Sequence, residues 1–296
     1  MISLLQIFFS ILIITQFVLG NFANGFIALV NCIDWVKRQK ISTAHQILTG
    51  LAVSRVSLLW TLVIYWYGHV YNPALNNIEV RVIIYMAWTA SNHLSLWFAT
   101  SLSVLYLLKI ANFSSLLFLH LKQKVKRVIL IIFLGNLVFL VFHLAFVNIN
   151  TNMSINEYKG NITWKTKLMD IMHFTDMALF TLGNVIPFTM SLTCFVLLIF
   201  SLWKHLKNMQ LCGKGSQDPS TKVHIRAMQI VISFLLLFAF YILVLIISVW
   251  SSESLQIELI VHCGHVLAAL YHSGHSFVLI WGNKKLKQDF LSLLWQ

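Results

Sequence analysis

Arg55 is the one charged residue in the stretch LAVSRVSLLWTLVIYWY, residues 51–67. A guanidinium at that depth in hydrocarbon costs at least about 2.5–3.5 kcal/mol unless groups of the protein receive it. Arg55 therefore implies partners on other helices. At 1.5 Å per residue it lies roughly 14 Å from the nearer end of its apolar run, and Asn24, Ser276 and His275 lie at similar depth in theirs. A layer in which Asn24 and Ser276 hydrogen-bond Arg55 is expected. It reads either as a switch with two arrangements a few kcal/mol apart or as a static clamp on helix register.

A second set of residues shares a helix face. Tyr85, Trp88 and Asn92 recur at i, i+3 and i+7, which places an aromatic plate beside an amide donor and acceptor. Tyr241, Leu245 and His265 are expected to face them. Such a group serves amphipathic small molecules, or it is ordinary packing with a polar residue as interhelical glue. The paired histidines His262/His265 and His272/His275 invite a metal reading. The two pairs lie about 15 Å apart along one helix and are turned by most of a revolution, so they cannot share an ion. No metal and no cofactor is expected.

The elements that position these residues follow from composition. Of 296 residues 58% are hydrophobic and 10% charged, with a mean hydropathy of +0.80, so water is not the solvent for most of the surface. Seven apolar windows long enough to cross a bilayer run approximately 3–33, 46–68, 81–108, 126–147, 171–203, 226–251 and 258–281. The expectation is an all-α membrane protein, a single domain over 1–296 built as a seven-helix bundle. Pro187 falls inside the fifth window, as a kink rather than a break. The first window begins almost at once and lacks a basic leader or cleavage site, so it reads as an uncleaved span. About three residues precede it, which leaves the outer half of the bundle as the place for any ligand.

The net charge of +12 does not indicate nucleic acid, because the basic residues sit in short segments between spans. Sixteen of the 21 Lys and Arg residues follow spans one, three, five and seven. By the positive-inside rule the N-terminus is outside and the C-terminus inside. The glycosylation sequons at Asn161 and Asn152 then fall in the longest outside loop, and the one at Asn112 falls inside. In NKKLKQDFLSLLWQ, residues 283–296, Leu286, Phe290, Leu293 and Leu294 share one face, which reads as an interfacial helix over about 284–294. Residues 109–127 interleave apolar positions with a basic end and suit anionic lipid, a cytoplasmic partner, or both. The four cysteines (Cys32, Cys194, Cys212 and Cys263) suggest no disulfide.

An intramembrane enzyme needs a nucleophile with a base, or a histidine and carboxylate cluster at one depth, and no such set occurs. Inverted repeats or charges along a path mark many transporters, and there is one buried arginine and no repeat. A receptor is the remaining class.

Specific stretches carry a resemblance. GNFANGFIALVNCIDWVKRQKIS (20–42), LAVSRVSLLW (51–60), NHLSLWFATSLSVLYLLKIANFSSLLFLHLK (92–122), SLWKHLKNMQL (201–211), GSQDPSTKVHIRA (215–227) and HSFVLIWGNKKLKQ (275–288) together resemble the bitter taste receptors, the type 2 taste receptor family of G protein-coupled receptors. The resemblance implies small bitter agonists, with ligand contacts at Trp88, Asn92, Tyr241 and His265. It implies a gustducin-type heterotrimeric G protein and calcium signalling, with Tyr106, Lys109, His205 and Lys207 bordering the G-protein cavity. It also implies a plasma-membrane location, glycosylation at Asn161, and a role in activation for the Asn24, Arg55 and Ser276 layer. One departure stands out. Many members carry a proline shortly before the HS of the last span, where this chain has His272, so the residue that would kink the span there is missing.

Overall fold

The computed structural model describes residues 4–38, 42–72, 77–157, 164–211, 219–250 and 257–295. Asn161 and Cys212 lie outside these residues. Among the described residues the chain is helical without strands: α1 (Leu4–Arg38), α2 (Thr43–Val70), α3 (Ile78–Ile110), α4 (Leu116–Gln123), α5 (Val125–Glu157), α6 (Trp164–Leu211), α7 (Pro219–Trp250), α8 (Ile257–Gly282) and α9 (Lys284–Leu294). Six of these, α1, α2, α3, α5, α6 and α7, contain stretches long and apolar enough to cross a membrane by length and composition. The seventh expected span, α8, carries four histidines that lower its hydropathy. It packs on α1, α2 and α7 as a full member of the bundle.

One feature departs from the sequence expectation. The loop assigned to 148–170 is shorter, because α5 continues to Glu157 and α6 begins at Trp164. The segment NINTNMSINE is too polar to cross a bilayer, yet it holds no proline or glycine to stop a helix. Asn152 consequently sits exposed on α5 rather than in a loop. In the last of the expected spans, α8 runs as helix through His272.

α3 is the central helix, packed against α2, α4, α5 and α6. Its small residues Ser91, Ser95, Ala99 and Ser103 are buried and let neighbouring backbones approach closely. The ring closes where α1 packs on both α2 and α8. Gly20 makes that closure possible. A Cβ there would lie 2.5 Å from Leu59 Cδ1 and 3.1 Å from Ser273 Cβ.

On α5 the buried positions Ile129, Asn136, Leu140, His143 and Val147 recur at helical spacing, whereas Leu130, Ile131, Leu134, Val138 and Val141 are exposed. An apolar residue on the outward face of such a helix is solvated by lipid, so the whole circumference of α5 is apolar although one stripe is packed. α6 passes through Pro187, and the Thr100 hydroxyl of α3 lies 3.0 Å from the Pro187 carbonyl.

At the end of the bundle opposite the α2–α3 connection, Asn283 stops α8 and caps α9, its side chain accepting from Lys285 N and Leu286 N at 3.0 and 3.3 Å. Leu286 and Phe290 of α9 are buried, and the Phe290 ring meets Phe22, Phe26 and Phe277. Lys285 pairs with Asp34 of α1, and Lys287 lies over the Trp281 ring at 4.9 Å. Leu293 stays exposed. α9 is thus held along one face and leaves the other to the interface.

Candidate functional site

Between α2, α3, α7 and α8, near the α2–α3 connection, a cavity of about 400 Å³ opens. Its walls are aromatic and apolar, with Tyr65, Tyr85, Trp88, Leu245, Val249 and Ala268, and its polar groups are Thr61, Arg81, Ser248 and His265. Periodicity on α3 builds one wall. Trp88 stacks on Phe180 of α6 at 5.5 Å and on Tyr85 at 6.2 Å. The Tyr85 hydroxyl donates to Asp176 of α6 at 3.3 Å, and His143 of α5 meets the other carboxylate oxygen at 3.3 Å. Tyr65 of α2 lies 4.9 Å from the His265 ring. This size and composition suit a small, largely apolar molecule.

Of the five residues expected from sequence to contact a ligand, Tyr85, Trp88 and His265 line the cavity. Asn92 and Tyr241 do not. They lie about one turn deeper and are each 1% exposed. Tyr241 Oη donates to Asn92 Oδ1 at 2.5 Å, and Asn92 Nδ2 donates to Asn184 Oδ1 at 3.0 Å. Both polar ends of Asn92 are therefore engaged within the protein.

That layer connects downward. His272 Nε2 lies 3.2 Å from Tyr241 Oη, and because the tyrosine proton is committed to Asn92, His272 Nε2–H is the donor. The His272 backbone carbonyl then accepts from Asn24 Nδ2 at 3.4 Å and from Ser276 Oγ at 3.0 Å. Ser276 Oγ also lies 2.7 Å from Asn24 Oδ1. Arg55 Nη1 donates to Ser276 Oγ at 3.1 Å, and Nη2 donates to His275 Nδ1. The guanidinium lies 5.6 Å from the centre of the Tyr271 ring.

Arg55, Ser276 and Asn24 are thus brought together, with one correction to the expected layer. Asn24 reaches Arg55 through Ser276 rather than directly, since its Oδ1, the amide atom able to accept from a guanidinium, meets Ser276 Oγ at 2.7 Å instead. His275 fills the place that Asn24 was given. All of these groups are buried, and their hydrogen bonds receive both terminal nitrogens of a charge that hydrocarbon would not.

Sequence reasoning missed the roles of Asp176, Asn184, Tyr271 and Arg81. Asp176 carried a signal, because an acid inside an apolar span is itself unusual. Asn184 and Tyr271 carried none, since their importance rests on which helices meet.

At the opposite end Tyr106 is half-buried at the foot of α3 and Lys109 is exposed there, while His205 and Lys207 are exposed at the foot of α6. α3 and α6 pack together, and Asn112 N donates to Ser201 Oγ at 3.3 Å across them. The Lys207 ammonium lies 5.8 Å from the Trp203 ring.

A profile of the family described as "Taste receptor protein (TAS2R)" matches residues 1–296. Taste receptor type 2 member 46 of Homo sapiens is 60% identical over 295 residues, which covers 100% of this chain and 96% of that protein. Taste receptor type 2 member 43 of Homo sapiens is 58% identical over 296 residues. Taste receptor type 2 member 20 of Pan paniscus is 56% identical over 296 residues. The last two matches also cover 100% of this chain and 96% of each relative.

Proposed function

Because the chain belongs to the type 2 taste receptor family, a bitter taste receptor class of multi-pass membrane proteins and not an enzyme class, we propose that its cavity is the agonist site and that its opposite end activates a gustducin-type G protein. The observation that carries this reading is the cavity itself. It is a space of about 400 Å³ with an aromatic wall at one end of the bundle, about one turn above the Tyr241–Asn92 bond from which buried hydrogen bonds run to the Arg55 layer.

Agonists pack against Tyr85, Trp88 and His265. Those that reach one turn deeper replace the Tyr241–Asn92 bond with bonds of their own. A ligand shifts a two-state bundle only by as much as its affinity differs between the states, and an exchange of buried hydrogen bonds supplies such a difference. Asn24, Arg55 and Ser276 form the layer whose arrangement changes, and Tyr106, Lys109, His205 and Lys207 border the G-protein contact. The cavity end faces outside and α9 lies on the cytoplasmic side of the plasma membrane, against lipid. Asn161 and Asn152 are the glycosylation sites.

Calcium responses test the reading in cells that express the chain with a gustducin-based chimeric G protein. A panel of bitter compounds is applied alongside Trp88→Ala and Asn92→Ala at matched surface levels. A response in the parent chain that both substitutions weaken by about tenfold or more supports the site. Responses indifferent to Trp88→Ala overturn it, and solute flux that persists without any G protein overturns the receptor reading.

A further inference from the structure

Arg81 supplies the cavity with a positive charge that no ion pair among the described residues neutralises. It precedes Tyr85 by four residues and Trp88 by seven, so the cation, the phenol and the indole rise in a column on one face of α3. All three line the cavity, and among the described residues that line it none is an aspartate or glutamate. Among the described residues neither ion pair involves the Arg81 guanidinium. Glu79, two residues earlier, is turned about 200° around the helix. Asp176, behind the aromatic wall, is already partnered by Tyr85 and His143.

Three of the four hydroxyls that line the cavity are committed as well. Thr61 donates to the Leu58 carbonyl and Ser248 to the Val244 carbonyl, each at 2.8 Å, and Tyr85 donates to Asp176. A cationic guest would meet Arg81 with no carboxylate among the described lining residues to receive it. An anionic guest would meet a planar fork suited to carboxylate geometry, beside ring faces that accommodate an aromatic body.

We propose that the site prefers agonists bearing a carboxylate or a comparable anion on a flat aromatic body, with the anion on Arg81 and the body against Tyr85 and Trp88. This rests on the reading of the cavity as the agonist site and adds the chemical class of its ligand. Arg81 is a specificity-determining residue in this arrangement, distinct from the buried layer that carries the signal.

Three probes of matched shape test it: 2-naphthoate, 2-naphthamide and 2-naphthylmethylammonium, applied to the parent chain, Arg81→Gln, Arg81→Glu and Trp88→Ala at matched surface levels. The acid is expected to be the most potent of the three in the parent. Arg81→Gln weakens the acid about three- to tenfold, in keeping with one charge-assisted contact near the mouth of the site, and leaves the amide unchanged. Arg81→Glu reverses the order of acid and amine. An acid no more potent than its amide, or an acid-to-amide ratio that Arg81→Gln leaves unaltered, overturns the anion preference while Trp88→Ala still weakens the responses. Responses to all probes that survive Trp88→Ala overturn the agonist site and the preference together.

Discussion

The imidazole of His272 lies 3.2 Å from the hydroxyl of Tyr241, and the two rings meet edge to face at 5.0 Å and 78°. One residue thereby touches both polar layers, since its side chain meets Tyr241 and its backbone carbonyl receives Asn24 and Ser276. A proline at this position would offer the carbonyl without the ring. His272→Ala and Tyr241→Phe each remove the same bond, so their effects on agonist potency should not add. A double-mutant cycle on calcium responses at matched surface levels is expected to give a coupling of about 0.5–1.5 kcal/mol, and strict additivity would sever the link.

Ser276→Ala is expected to be more damaging than its size suggests. It deprives Arg55 Nη1 of its acceptor and Asn24 of its neighbour, and a hydrogen bond to a buried charged group contributes about 1.5–3 kcal/mol. The unfolding midpoint of detergent-solubilised receptor should fall accordingly. Ser273→Ala, whose hydroxyl meets Gln16 and the Leu270 carbonyl, should be milder because it touches no charge. Equal midpoints for the two variants would refute this ranking.

Gly20→Val tests the closure of the ring. Its side chain would enter space held by Leu59 and Ser273, and overpacking of this kind costs about 1–3 kcal/mol. Leu59→Ala added to Gly20→Val should recover part of the loss, as seen in surface expression and thermal midpoint, because it removes the methyl that the new Cβ meets first.

Two contacts hold α9, and they should differ in weight. Phe290 is buried against three phenylalanine rings, and truncating a buried phenylalanine costs about 3–5 kcal/mol. The Lys285–Asp34 pair has a lysine side chain 39% exposed, and a pair so open to water contributes about 1 kcal/mol at most. Phe290→Ala should therefore loosen α9, read as faster amide exchange over 284–294, far more than Lys285→Ala does.

Much was legible in the sequence because a bilayer imposes a simple rule. Backbone polar groups in hydrocarbon must be satisfied within each segment, so apolar runs become helices and their number and approximate limits follow from length alone. Even there the rule applied only to the hydrocarbon, and the polar continuation of α5 to Glu157 lay beyond its reach. The need for partners around Arg55 was equally plain, since an uncompensated charge at that depth is too costly to keep, and depth counting found Asn24, Ser276 and His275. The Trp88 wall followed from spacing on one helix.

What only the tertiary structure decided is which helix faces another, and at what rotation. Whether Asn92 opens to the cavity or turns to Asn184 and Tyr241 depends on a few tens of degrees about α3, and periodicity does not define that angle. Whether His275 or Asn24 takes the second bond of Arg55 depends on how closely Gly20 lets α1 approach α8. The sequence by itself determined the helices, their polar depths and the family. Side-chain packing between helices, which has no linear code, decided which polar groups met.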